Sequence, residues 1–289
     1  MKKLLAILLL LCLLLTGCTA PAPATPESPK EFIVHFIDVD QADCALLEYD
    51  GQYALIDAGY PESGHTVVKY LQAQGVDELD LVVATHMHND HMGGLPTVLS
   101  IFPTERIWCS WQTYYSNTYD KFCYYADQQD ITVERPMPGE VFFLGDVQLQ
   151  LLGPLGKSYV DVNNSSLVIM ATYGDNKFLF TGDMRWEAEK ELVEAGTDLK
   201  ADVLKVGHHG SYTSTSYLFL NEVMPEYAVI MCGRNNEYGH PHTEPMSRLR
   251  DAGVTIYRTD RMGTVVATST GENITFSWEF TNASPEVNS

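Results

Sequence analysis

Basic side chains are scarce in this sequence: 18 Lys and Arg stand against 38 Asp and Glu, for a formal charge of −20. A surface of that sign is a poor partner for bulk nucleic acid or anionic lipid, because counterion release needs a basic face. Bound cations would offset part of the excess. Cysteine is also scarce, and six scattered residues do not make a disulfide framework. The apolar run Leu4 through Leu15 is too short for a comfortable membrane-spanning helix. No interior linker divides the chain after residue 31.

What is present is a chain of 289 residues, 45% of them hydrophobic, enough to bury the core of one large domain. Its first residues stand apart. Lys2-Lys3, the apolar run and Leu15-Thr16-Gly17-Cys18 resemble the signal peptide and lipobox of bacterial lipoproteins. That resemblance implies a signal over 1–17, lipid on Cys18, and an extracytoplasmic protein touching the membrane only through its anchor. A plain secretory signal is the alternative. Residues 18–31, rich in Pro, Ala and Thr, read as a tether; 32–281 read as one catalytic domain and 282–289 as a tail.

Within the domain, apolar runs alternate with turns. Phe32 to Val39, Cys44 to Leu47 and Tyr53 to Asp57 read as strands, then His65 to Gln74 as a helix ending at Gly75. Leu81-Val82-Val83-Ala84 is a buried strand, and further strand-like runs end at Phe180, Val206 and Met231. Glu187 to Ala195 and Glu244 to Asp251 suit helices, the second capped by Thr243. Trp111, Tyr114, Tyr115, Phe122 and Tyr125 recur at helical spacing, and the plain expectation is a helix packed on the core. An aromatic wall beside the site is the sharper reading, for a base or a quaternary amine. Cys109 and Cys123 lie in this stretch and could pair in an oxidising compartment.

Seven of nine histidines fall in three clusters, each after an apolar run: His86/His88/His91, His208/His209 and His240/His242. At extended spacing His86 and His88 point the same way, while Asp90 and His91 follow after the chain turns. Two ligand pairs result, suited to two adjacent metal ions. A solvated polar loop is the bland alternative. His35 shares a strand face with Ile33 and Ile37, so it reads as packed rather than ligating. Asp183 follows Phe178-Leu179-Phe180 and obeys the same strand-end rule.

The segment His86-x-His88-x-Asp90-His91 resembles the signature of the metallo-β-lactamase superfamily. Phe36-Ile37-Asp38-Val39 with Gln41 and Asp43, Leu55 to Gly59, Asn163-Asn164-x-Ser166-Leu167, Thr181-Gly182-Asp183, Lys205 to Ser211 and Gly239 to His242 narrow the match. Together they resemble the extracellular hydrolase domain of ComEC-type competence proteins and their soluble relatives. The resemblance implies an α/β fold, an αββα sandwich of two mixed sheets flanked by helices. It also implies that His86 and His88 bind a first metal, that Asp90, His91 and His208 bind a second, and that Asp183 bridges both. His209 is then a supporting residue, and Asp57 holds loops rather than metal. Many superfamily members supply a third histidine to the first metal; no histidine stands between His91 and His208 here. Asn164 or a water would fill that place through oxygen. Two divalent ions are implied, Zn²⁺ or, given an oxygen donor, Mn²⁺.

Such a pair of ions, about 3.5–4 Å apart, shares a hydroxide and clamps a phosphodiester. Asp90 and Asp183 would then carry catalysis, with His242 as proton donor or phosphate holder, or alternatively as a structural residue leading into its helix. Ser211 and His240 are candidates for substrate contact. The expected activity is a surface-anchored phosphodiesterase or nuclease acting on short or single-stranded nucleic acid. The alternatives are hydrolysis of a small ester such as a phosphocholine phosphodiester, and a non-catalytic binding protein retaining the fold. The anchor has its own test: Cys18→Ala is expected to release the chain from membranes into the soluble fraction, and unchanged attachment would rule the lipoprotein reading out.

Overall fold

The structure, a computed structural model, describes residues 30–112 and 115–287. Residues 1–29, with the expected signal, Cys18 and most of the tether, lie outside the described residues, as does Tyr114. Among the described residues no helix is long and apolar enough to cross a membrane.

The chain first lays down β1 (Phe32–Phe36), β2 (Ala45–Tyr49), β3 (Gln52–Ile56), β4 (Leu79–Ala84), β5 (Thr104–Cys109) and β6 (Val133–Glu134). It then builds β7 (Val141–Leu144), β8 (Val147–Gly153), β9 (Val168–Tyr173), β10 (Asn176–Phe180), β11 (Val203–Lys205), β12 (Tyr227–Ile230) and β13 (Thr255–Arg258). It closes with β14 (Val265–Ser269) and β15 (Ile274–Trp278), which return to the first sheet beside β1. The sheet orders are β15-β14-β1-β2-β3-β4-β5-β6 and β13-β12-β11-β10-β9-β8-β7. Each sheet starts as an antiparallel meander and becomes parallel, from β3 to β6 and from β10 to β13.

Parallel strands need crossovers, and here these are helices. On the first sheet they are α1 (Gly64–Ala73), α2 (Asn89–Met92), α3 (Leu95–Leu99) and α4 (Asn117–Gln128). On the second they are α5 (Trp186–Glu194), α6 (Tyr217–Val223) and α7 (Thr243–Asp251), with the short α8 (Thr259–Met262) leading back. Side chains alternate along each strand, so a strand covered on both faces is apolar throughout. Val34, Phe36, Leu47, Ala54, Leu81 and Val83 point between the sheets, against Leu149, Ile169, Phe178 and Phe180. Leu46, Leu55 and Val82 point the other way, onto α1, α3 and α4. Leu179, Leu204 and Ala228 do the same for α5, α6 and α7. The result is the αββα sandwich, with His35 on an outer face, buried and bonded through Nδ1 to Tyr70.

Four details bear on the sequence readings. The aromatic stretch is not one helical face: Trp111 lies in the loop before α4, Tyr115 is exposed, and α4 begins only where the Ser116 hydroxyl accepts from Tyr119 N. Of the four described, Phe122 alone is fully buried there. The Cys109 and Cys123 thiols are both free. α7 starts at Thr243 itself, with His242 in the capping position. Glu286, in the expected tail, pairs with Ile256 across an antiparallel bridge and binds Arg250, Arg258 and Arg261.

Phe178 sits between the sheets, edge-on to Phe32 at 5.3 Å. Phe178→Ala leaves a cavity that neither sheet can collapse to fill, and should lower unfolding stability by about 3–5 kcal/mol, read from the denaturant midpoint.

Candidate metal centre

The candidate ligands gather at one edge of the sandwich, beyond the carboxyl ends of parallel strands, where α/β sheets commonly place sites. β4 delivers His86, His88, Asp90 and His91; β10 delivers Asp183; β11 delivers His208 and His209; β12 leads to His240 and His242.

Asp57, directly after β3, ties the first loop down. Its Oδ1 accepts from Thr85 N (2.9 Å); its Oδ2 accepts from Thr85 Oγ1 (2.6 Å) and lies 2.8 Å from His91 Nδ1. With Nδ1 donating there, Nε2 is the ring nitrogen of His91 that faces inward, 3.1 Å from Asp183 Oδ1, and it is the one a metal would take once its proton is lost. The turn after His91 requires glycine: Gly94 passes so close to Ala58 that a Cβ would stand 2.2 Å from its carbonyl oxygen. His86 Nε2 and His88 Nδ1 converge to 3.0 Å, and His86 Nε2 is 3.9 Å from Asp183 Oδ2. Ser166 Oγ accepts from Asp183 N (3.0 Å) and touches His86 Nδ1 (3.3 Å), so one hydroxyl registers two strand ends.

His208 and His209 both take left-handed backbone, φ 50° and 53°. That reversal turns His209 inward. Its Nε2 is 3.3 Å from Asp90 Oδ2 and 3.6 Å from Asp183 Oδ2, while its Nδ1 bonds Met231 O (3.0 Å) and lies 3.2 Å from Asp43 Oδ1. His208 stands nearer solvent, Nδ1 on Thr213 Oγ1 (2.9 Å) and Nε2 3.7 Å from Asp183 Oδ2. Where the sequence favoured His208 as the second-metal ligand, the geometry instead gathers His209 with Asp90, His91 and Asp183.

Two clusters of donors therefore share one carboxylate: His86, His88 and Asp183, and Asp90, His91, Asp183 and His209. Within each, one donor atom per residue lies within 4.8 Å of the others. His91 Nε2 and Asp183 Oδ1 are buried without hydrogen-bond partners, as atoms aimed at a cation would be. The donor set is nitrogen and carboxylate oxygen, which fits two divalent ions.

Electrostatics agree. Burial disfavours a charged His91, yet Asp183 and Asp57 outweigh it and raise its pKa well above the usual imidazole range. Burial opposes charge on His209 too, but Asp183 and Asp43 raise it to about 10. Burial favours a neutral Asp183, but His91, His209 and His208 hold it well below its ordinary value. Asp90, despite burial, is held at about 2 by His209 and His91. Burial and the charge of His91 lower His86 well below 6.5. Without metal, protons on His91 and His209 balance the carboxylates.

A support missed in the sequence is the buried pair of Asp43 and Lys205. Lys205 Nζ donates to Asp43 and to Gly182 O (3.1 Å), and Asp43 faces His209. A lysine inside Val203-Leu204-Lys205-Val206 was the available signal, because a buried cation needs a partner. Asn164 is occupied: its Oδ1 accepts from Arg185 N (3.0 Å) and its Nδ2 donates to Glu187 (3.4 Å). Ser211 closes its own turn, accepting from Thr213, and His242 Nδ1 accepts from Tyr212 N (3.1 Å). His240 reaches the cavity, where Nδ1 meets Gln41 (3.0 Å) and its ring stacks on Tyr238 at 5.6 Å. That cavity, about 340 Å³, is lined also by Tyr60, His88, Asn89, Asp90, Asn163, Asp183, His208 and His209. A larger cleft of about 670 Å³ runs past Lys69, Thr264 and Trp278 and carries none of these donors.

A family profile described as the metallo-beta-lactamase superfamily matches residues 37–234. ComE operon protein 3 of Bacillus subtilis is 31% identical over 258 residues, covering 83% of this chain and 33% of that protein. Competence protein ComA of Neisseria gonorrhoeae is 34% identical over 254 residues, 87% of this chain and 34% of that one. The chain thus spans about a third of the length of these curated relatives. Among solved structures, the metallo-beta-lactamase fold protein YhfI from Bacillus subtilis shares the fold at a TM-score of 0.58 and 12% identity, over 84% of this chain and 100% of that one.

Because His91 and His209 carry protons that a metal must displace, loading with Mn²⁺ or Zn²⁺ at pH 7 should release protons, up to about two per chain. Calorimetry in buffers of different ionisation enthalpy reads this number, and metal affinity should rise with pH. Binding without proton release would contradict the charge balance at these histidines.

Proposed function

The chain belongs to the metallo-β-lactamase superfamily of metal-dependent hydrolases, and from that premise we propose that it is a surface-anchored binuclear phosphodiesterase. The observation that carries this reading is Asp183, one buried carboxylate common to two donor clusters. In this reading His86, His88 and Asp183 hold the first ion, and Asp90, His91, Asp183 and His209 the second. Zn²⁺ and Mn²⁺ both suit these donors. Two bound divalent ions supply Lewis acidity and activated water, the chemistry a phosphodiester requires.

The protein's own residues do the rest. Asp57 sets the His91 tautomer, and Asp43 with Lys205 steadies His209, so the ligands stay oriented through turnover. His240, neutral because burial, His209 and His208 push its pKa to about 3, can hold a substrate oxygen by hydrogen bond. His242 does not line the cavity; its place under Tyr212 N suits support of the 210–213 turn better than proton donation. Ser211 is likewise assigned to that turn. Kinship with ComEC-type competence proteins favours nucleic acid as the substrate class. The charge of −20 and the cavity of about 340 Å³ favour a single strand or a short end over duplex.

Tyr60 and Tyr238 in that cavity favour a second reading, a small phosphodiester with a quaternary amine held over an aromatic face. The test is one assay on metal-loaded chain, offering bis-p-nitrophenyl phosphate, single-stranded DNA and a phosphocholine ester. Turnover is expected on the first, the preferred natural class decides between the two readings, and Asp183→Ala should lower it at least about a hundredfold. No turnover on any substrate, with two ions bound per chain, would leave the non-catalytic alternative standing.

A further inference from the structure

The two donor clusters are unequal: four residues surround the second ion's place, and three, His86, His88 and Asp183, surround the first. We infer that the Asn163 side-chain oxygen is the fourth donor of the first cluster, standing where a histidine is absent from this chain. The inference rests on the binuclear reading above.

Three observations carry it. First, the chain segment is in the right place. The short 3-10 turn Val162–Ser165 is joined to the metal edge by Leu167 N donating to Thr85 O (3.0 Å) and by Ser166 Oγ, which meets both His86 and Asp183 N. Second, Asn163 is 7% exposed and lines the cavity together with His88 and Asp183. Third, its Oδ1 is buried with no hydrogen-bond partner, and a buried amide oxygen left unpaired is costly unless something binds it. His91 Nε2 and Asp183 Oδ1, both assigned to metal, share that orphaned state. Asn164 does not: both ends of its amide are already bonded, to Arg185 N and Glu187. The backbone N of Asn163 is anchored on Asp161 Oδ1 (3.0 Å), so the side chain starts from a fixed point.

An amide oxygen is a hard, neutral donor. In place of imidazole it lowers the preference of the first site for Zn²⁺ and suits Mn²⁺. Asn163 thereby determines which ion the first site takes.

The experiment counts metal directly, without activity. The purified chain is dialysed against Mn²⁺ alone or Zn²⁺ alone, ions per chain are measured by mass spectrometry, and Mn²⁺ pairs are read by electron paramagnetic resonance. Wild type should hold about two Mn²⁺ in a spin-coupled pair. Asn163→Ala should weaken one site at least about tenfold, leaving about one uncoupled ion per chain. Asn163→Asp should keep the pair. Asn163→His should bind Zn²⁺ more tightly at the first site and reverse its Mn²⁺ preference. Asn163→Ala retaining a coupled pair at wild-type affinity would overturn the inference, as would Asn163→His with unchanged Zn²⁺ affinity. Wild type holding fewer than two ions would instead sink the binuclear reading itself, visible before any variant is made.

Discussion

Four carboxylates, Asp43, Asp57, Asp90 and Asp183, meet at one edge of the sandwich, and three of them are almost fully buried. Oxygens of Asp90 and Asp183 lie within 4.8 Å. At that distance two unit charges repel by roughly 3–4 kcal/mol at an effective dielectric near 20. Nothing apolar can offset this; only positive charge can. Lys205 answers Asp43, His91 answers Asp57 and Asp183, and His209 answers Asp90 and Asp183. The remaining structure serves to bring these charges together from strands far apart in sequence and to keep water from separating them.

The sandwich does this through its parallel halves. Parallel strands end at the same edge, so β4, β10, β11 and β12 each hand a loop to a common place. Both sheets are sealed by helices on their outer faces, and loop residues such as Ala58, Met87 and Met184 pack into the same cores, which fixes the loops that carry the donors. Glycines and left-handed residues then make turns that ordinary residues would not make. Gly94 allows the β4 loop to pass against Ala58, and Gly182, φ 49°, brings Asp183 round beside Ser166. The candidate ligands are thus placed by backbone geometry first and by side-chain contacts second.

Much of this could be read from the chain itself. Apolar runs ending in His or Asp marked the strand ends, because a strand buried on both faces is apolar until it reaches the edge. That His86, His88, Asp90, His91 and Asp183 would meet at one edge was legible for that reason. Which of His208 and His209 turns towards them was not. Two successive left-handed residues cancel the strand alternation from which an orientation could be argued. Asn163 and Asn164 posed the same difficulty inside a single 3-10 turn. The aromatic stretch misled differently: Trp111 and Tyr115 match helical spacing to Phe122, but the helix starts only at Asn117, after a serine cap. Spacing shows which side chains would share a face, not where the hydrogen bonds of a helix begin.

β1 runs antiparallel to β2, β2 antiparallel to β3, and β3 parallel to β4. β1 is therefore parallel to β4, and its carboxyl end points to the metal edge, while Lys30 and Phe32 lie at the opposite edge. The sheet gives the domain a direction, with a rear where the preceding chain joins and a front where the donors open. The first described residues and the cavity thus lie at opposite ends of the sandwich, so the chain enters the domain on the side away from the candidate donors.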